Sequence, residues 1–179
     1  MALTATMYRF SIQLSDVDRG VYETLDLHVA RHPSETGEYM LTRVLAYCLE
    51  YAEGIEFTDG LSSGDEPAVV VRDLTGRVTA WIEVGAPDAD RLHRASKLAQ
   101  RVAVYTHREP RILFEQLGGK KIHRAEEVAI HTFGRGFIEK VAALLDRRTK
   151  LAITVTERQL YLDVEETHFA TTIEEHHIP

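Results

Sequence analysis

The chain has one cysteine, Cys48, in 179 residues. No intrachain disulfide can form, and the thiol sits in an apolar helical run, where it reads as a core residue of a protein kept in a reducing compartment. There is no run of about 18 apolar residues, so no membrane-spanning helix is expected. The N-terminal MALTATMYRF has neither a basic leader nor a long apolar centre. It is read as no secretory signal, and the expectation is a cytoplasmic protein without a membrane partner. Positive charge is also short, with Lys and Arg totalling 21 against 28 Asp and Glu, a net charge of −7. Such a chain repels a phosphate backbone at long range, so any contact with nucleic acid needs a local basic patch. Repeats, low-complexity tracts and linkers are missing, which suits one domain spanning residues 1–179. No Ser-His-Asp signature and no cysteine-based metal motif occurs, and Gly118-Gly119-Lys120-Lys121 lacks the Walker A spacing.

What is present reads as alternating strands and helices. Leu3–Leu14 and Val21–Arg31 alternate around a turn at Ser15–Gly20 and predict a β-hairpin. His32-Pro33-Ser34-Glu35 opens a helix capped by Ser34 that runs to about Glu53, with Gly54 as its stop. Thr58–Pro67 reads as a loop containing Gly60 and Gly64. The apolar runs Ala68–Leu74 and Val78–Val84, split by Thr75-Gly76-Arg77, predict paired central strands. There follow a helix over Ala89–Gln100, a strand over Arg101–Thr106, a helix over Pro110–Leu117, a strand over Val128–Phe133 and a helix over Phe137–Leu145. A third hairpin, Leu151–Val155 with Gln159–Val164, leads to a polar tail. The order calls for an α/β fold, a mixed β-sheet flanked by helices with extra β-hairpins at both ends of the chain.

Two segments carry the chemical signal, Gly64-Asp65-Glu66-Pro67 and Trp81-Ile82-Glu83-Val84-Gly85. The hairpin brings Asp65 and Glu83 towards the same end of the sheet. A carboxylate ending an apolar central strand is costly unless solvated, paired or metal-bound. Two converging carboxylates suit Mg²⁺, which takes one or two carboxylates plus waters and substrate phosphate, and so suit phosphodiester hydrolysis. The competing reading makes Glu83 a solvated strand-end acid and Asp65-Glu66-Pro67 an ordinary polar turn.

With Ala30-Arg31-His32-Pro33-Ser34-Glu35-Thr36, Pro87-Asp88, Val104-Tyr105-Thr106 and the Met-Ala-Leu start, these segments resemble the YaeQ family over nearly the whole chain, in the same order. The resemblance implies a restriction-endonuclease-like fold with a variant PD-(D/E)XK motif, and no demonstrated reaction. Asp65 and Glu83 match the two acids, whereas the motif lysine falls on Gly85. The resemblance then points to Arg94 or Lys97 on the following helix as the displaced cation and to the Val84 carbonyl as a third metal contact. Glu35 or Glu38 takes the place of the extra helix acid of this fold, while helix-dipole complementation is the plainer role for both. His32 and Tyr105 are candidate substrate contacts; their ordinary alternatives are turn ordering and core filling. On the helical wheel Arg94 and Lys97 lie opposite the Leu92, Ala95, Ala99 and Val102 stripe, as solvated charges would. Arg108, Arg111, Lys120, Lys121 and Arg124 form a basic cluster in sequence, either a backbone-binding patch or a plain surface loop. Two functions remain open: a Mg²⁺-dependent nuclease acting on DNA or RNA, and a non-catalytic nucleic-acid or transcription-associated binding protein. The sequence points to no particular protein partner.

Overall fold

The structure is a computed structural model that describes residues 4–59 and 65–179. Gly60 and Gly64 of the expected loop, and the Met-Ala-Leu start, lie outside the described residues. The chain divides into two compact units, 1–41 with 133–173 and 42–132 with 174–179. Each holds one mixed sheet, so the α/β architecture expected from the sequence is present.

In the first unit β1 (Thr6–Asp16) and β2 (Val21–Arg31) pair antiparallel along their full length. The hairpins from the two ends of the chain meet here. β8 (Arg148–Thr156) lies parallel to β1 and is followed by β9 (Gln159–Val164) and β10 (Thr167–Thr172), giving the order β10-β9-β8-β1-β2. Strict alternation buries Phe10, Ile12, Leu14, Leu25, Leu27, Val29, Ile153 and Leu162 on one face and leaves polar residues on the other. Helix α4 (Phe137–Ala142) covers the buried side, with Phe137 edge-on to Phe169 of β10. The tight β8–β9 turn needs positive φ at Glu157 and Arg158, without the usual Asn or Gly. Both amides donate to the Asp18 carboxylate, at 2.6 and 2.9 Å.

Sequence and structure differ here at two places. The expected polar tail forms β10 and a short strand β11 (Glu174–His176), because Thr171 and Ile173 are buried. Helix α1 spans Gly37–Leu49, and its first turn is capped by Thr36, whose Oγ1 accepts from Tyr39 N at 3.1 Å. Ser34 is instead held by His32, whose Nδ1 accepts from Ser34 N.

In the second unit the sheet order is β11-β7-β6-β5-β4-β3. β3 (Ile55–Phe57), β4 (Val69–Arg72) and β5 (Val78–Val84) run antiparallel, β5, β6 (Arg101–Thr106) and β7 (Ala129–Thr132) run parallel, and β11 closes the far edge. Helices α2 (Ala89–Leu98) and α3 (Pro110–Leu117) make the connections between the parallel strands. Both pack on the face that carries Trp81, Val102, Val104 and Ile130, through Leu92, Ala95, Leu113 and Leu117. The opposite face receives the second-unit part of α1 and its end: Tyr47 stacks on Phe57 at 4.6 Å, and Glu50 takes two bonds from Arg101. Among the described residues no helix is long and apolar enough to cross a membrane.

Cys48 is fully buried, as its apolar helical context predicts, and burial pushes its thiol up to about 12. The thiolate is the reactive species. Native protein is therefore expected to be inert to a thiol reagent such as DTNB, with one equivalent reacting only after denaturation. Rapid labelling of the native protein would show that this part of α1 opens readily.

Candidate functional site

Glu83 is the penultimate residue of β5, on the face that α2 covers. It is 5% exposed, so its carboxylate depends on its neighbours rather than on water. Alternation places Trp81 on the same face, and the indole Nε1 donates to Glu83 Oε1 at 2.6 Å. The second donor is Arg91 in the first turn of α2, whose Nε reaches the same oxygen at 2.6 Å. Asp88 caps this helix by accepting from Arg91 N at 2.8 Å, which fixes the turn that aims the guanidinium at the strand. Arg91 Nη2 also donates to the Glu66 carbonyl. One guanidinium therefore joins the strand-end acid to the segment containing Asp65. Burial pushes the Glu83 carboxyl above its ordinary range; the indole bond and the Arg91 charge oppose that rise, and Asp88 adds to it.

The other sequence-derived candidates are placed as follows. Asp65 is exposed, beside the Glu66 carbonyl that Arg91 holds. Val84 is buried, and the next amide, Gly85 N, donates to Tyr105 O at 2.9 Å. Arg94 and Lys97 are exposed on the outer side of α2. Tyr105 lies on the other face of the sheet from Glu83; its hydroxyl donates to Glu50 Oε2 at 2.9 Å and its ring stacks on His131 at 4.5 Å. It therefore belongs to a polar cluster with Glu50 and Arg101, packed against α1. His32, Glu35 and Glu38 belong to the first unit. There the Glu35 carboxylate accepts from His32 N at 3.2 Å, and His32 Nδ1 lies 2.7 Å from Ser34 Oγ, so both residues order the turn before α1. Glu38 is the acid of the helix's first turn, where it complements the dipole.

A Mg²⁺ ion needs carboxylate oxygens open to near-octahedral coordination. At Glu83 one oxygen already takes two N–H donors, and a fixed cation stands against the carboxylate. Among the described residues no group of three or more His, Cys, Asp and Glu side chains is placed to hold a metal ion. In this arrangement Arg91 already places at Glu83 Oε1 the positive charge that an ion would bring.

The comparisons with known proteins bear on the whole chain. A family profile described as YaeQ protein matches residues 1–173. The chain belongs to the YaeQ family. The YaeQ protein of Escherichia coli is 34% identical over 176 residues, covering 97% of this chain and 96% of its own length. That of Salmonella typhi is 34% identical over 164 residues, 90% of each chain. The crystal structure of YaeQ from Pseudomonas syringae matches with a TM-score of 0.86 at 34% identity, covering 96% of this chain and 95% of that one. The structure from Xanthomonas axonopodis pv. citri matches at 0.87 and 28% identity, covering 98% and 100%. The family resemblance drawn from the sequence motifs is thus confirmed over the whole chain.

Arg91 is the site residue that sequence reasoning passed over in this YaeQ chain. Arg91 lies on the same helix as Arg94 and Lys97, the two cations that the family resemblance puts forward. A helical-wheel signal for Arg91 was available: it falls only about 40° from Ala95 at 100° per residue, inside the margin of the buried stripe. Glu50 and Arg101 were also missed, since their pairing links positions 51 residues apart.

Proposed function

We propose that this chain is a nucleic-acid-binding protein that does not cut its ligand, in which a nuclease-type acidic site has become a fixed ion pair. The observation that carries the reading is the buried Glu83–Arg91 contact. Arg91 keeps positive charge at the strand end without offering an open coordination site, and arginine cannot serve as a base at neutral pH. Gly85 at the motif-lysine position points the same way, since it removes the group that would assist attack. The restriction-endonuclease-like ancestry in this reading rests on the motif resemblance. The alternative, a Mg²⁺-dependent nuclease using Asp65 and Glu83, requires Arg91 to leave Glu83.

The single tryptophan, Trp81, makes this directly testable, because its indole is bonded to Glu83. Titration with Mg²⁺ or Mn²⁺ to millimolar concentrations is expected to leave Trp81 fluorescence unchanged, and single- and double-stranded DNA and RNA are expected to stay intact. A saturable fluorescence change that Glu83→Gln removes, together with metal-dependent cleavage lost in Asp65→Ala and Glu83→Ala, would establish the nuclease instead.

A further inference from the structure

The outer side of α2 carries Asp90, His93, Arg94 and Lys97, all turned away from the buried Leu92 and Ala95. The segment 120–124 is laced onto the same helix. His123 N donates to His93 Nδ1 at 2.9 Å, Ser96 Oγ donates to the His123 carbonyl, and Arg124 Nη2 donates to the carbonyls of Ser96 and Ala99, the latter at 2.8 Å. These bonds tie His123 and Arg124 to α2, and the preceding Lys120 and Lys121 are exposed beside them. The charges of Lys97, Lys121 and His123 all reach His93; after burial, they are what pushes its imidazole below its ordinary range, and Asp90 is the acid that opposes them. His93 accepts from a backbone amide at Nδ1, so its neutral form carries its proton on Nε2 as a further donor.

A chain of net charge −7 thus presents four exposed cations on α2 and the segment bonded to it, with Asp90 as the acid on the same helix side. Helix-dipole complementation accounts for Lys97 in the last turn, and leaves Arg94, Lys120 and Lys121 unexplained. Arg124, which the sequence groups with these cations, is spent on bonding that segment to α2. Arg111 pairs with Glu115 on α3. Of the basic cluster of the sequence, Arg124 is thus structural, whereas Arg108, Arg111, Lys120 and Lys121 are exposed.

We propose that Arg94, Lys97, Lys120 and Lys121, with His93 between them, form the surface that binds the phosphodiester backbone of a nucleic acid. The ligand class follows from charge complementarity. A phosphate chain offers closely spaced anions without requiring base contacts, and cations displayed by a helix and a loop fixed to it match such a chain. Because the rest of the molecule repels the ligand, binding is local and falls steeply with salt. The assignment deepens the proposed function and takes from it the view that the ligand is nucleic acid.

The test is fluorescence polarisation with labelled single- and double-stranded DNA and RNA oligonucleotides, on the full chain, over a range of salt concentrations. The expected result is salt-dependent binding that weakens at least tenfold in Lys97→Glu/Lys121→Glu. The slope of log K against log salt should shrink by about 0.7–0.9 for each phosphate contact removed. The control Arg77→Glu/Lys140→Glu, with the same change of net charge elsewhere, should retain binding. Equal losses in the two double variants would overturn the patch, as would binding displaced equally well by polyglutamate, or no binding to any oligonucleotide at low salt. Circular dichroism spectra and unfolding midpoints of all variants exclude misfolding as the cause. Binding that depends on Lys97 and Lys121 but is followed by Mg²⁺-dependent cleavage would leave the patch standing and remove only the non-cutting reading.

Discussion

Arg91→Met is expected to destabilise the second unit by about 3–5 kcal/mol, the scale for removing one partner of a buried ion pair. The two side chains are not equivalent. The Glu83 side chain is 7% exposed and that of Arg91 22%, so removal of the arginine strands a charge that cannot reach water, whereas a released guanidinium can turn outward. Glu83→Gln should therefore cost less, and the double variant Glu83→Gln/Arg91→Met should recover much of the loss, giving a coupling energy of about 1–3 kcal/mol. Urea unfolding followed by Trp81 fluorescence, with baselines fitted for each variant, measures all three. The pH dependence has a definite sign. The folded carboxyl of Glu83 already binds its proton more tightly than an ordinary glutamate, because burial outweighs its donors. A raised folded value favours the fold below the unfolded value, and that advantage is lost as pH rises through the folded value. Without Arg91 the carboxyl is pushed further up. Arg91→Met should then lie closest to the parent at mildly acidic pH and fall behind towards neutrality. Equal unfolding midpoints for Arg91→Met and the parent would mean that Glu83 is solvated, and the basis for a fixed ion pair would fail.

Most elements were legible because their signals are local. The paired strands around Thr75-Gly76-Arg77 follow from two short β-branched-rich apolar runs on either side of a turn, and α3 follows from Pro110 at its start and a glycine after Leu117. What was not legible depends on distant partners. Nothing in Thr6–Asp16 specifies that Arg148–Thr156 will lie parallel to it, yet that pairing makes one sheet of the terminal hairpins. The tail read as polar because its inward positions are Thr171 and Ile173 among Thr and Glu, too sparse a pattern until β9 and β7 supply edges to complete. Glu83 could be recognised from sequence as an acid that needs a partner. The partner's type could also be anticipated, a cation on the next helix, but its position turned on the direction of one helical turn capped by Asp88. Alternation puts Trp81 on the same face as Glu83, and the indole bond itself is seen only in the structure. The division of Arg124 from Lys120 and Lys121 into structural and presented cations required the hydrogen bonds themselves.

Gly54→Ala is expected to destabilise the protein by about 3 kcal/mol or more, combining left-handed strain of roughly 1–2 kcal/mol with the cost of moving backbone. The sequence offers Gly54 as a helix stop, but α1 ends at Leu49 and the glycine has another reason to be there. Its φ is +91°, and a Cβ built on it would lie 2.0 Å from the carbonyl oxygen of Arg72. That approach is not incidental: Arg72 N donates to Gly54 O at 3.1 Å, at the point where the β4–β5 register shifts between Val71 and Arg72. A methyl group would force either that bond or the β3–β4 pairing apart, and β3 is a three-residue edge strand paired on one side only. Gly76→Ala separates the two contributions. Gly76 also has a positive φ, +87°, but its Cβ would meet nothing within 4 Å, so only the conformational cost of roughly 1–2 kcal/mol applies. Thermal unfolding of the two variants gives the difference, and hydrogen exchange at the Arg72 amide locates it: faster exchange in Gly54→Ala, unchanged exchange in Gly76→Ala. Equal losses would show that backbone strain accounts for both glycines and that the close approach to Arg72 relaxes without cost.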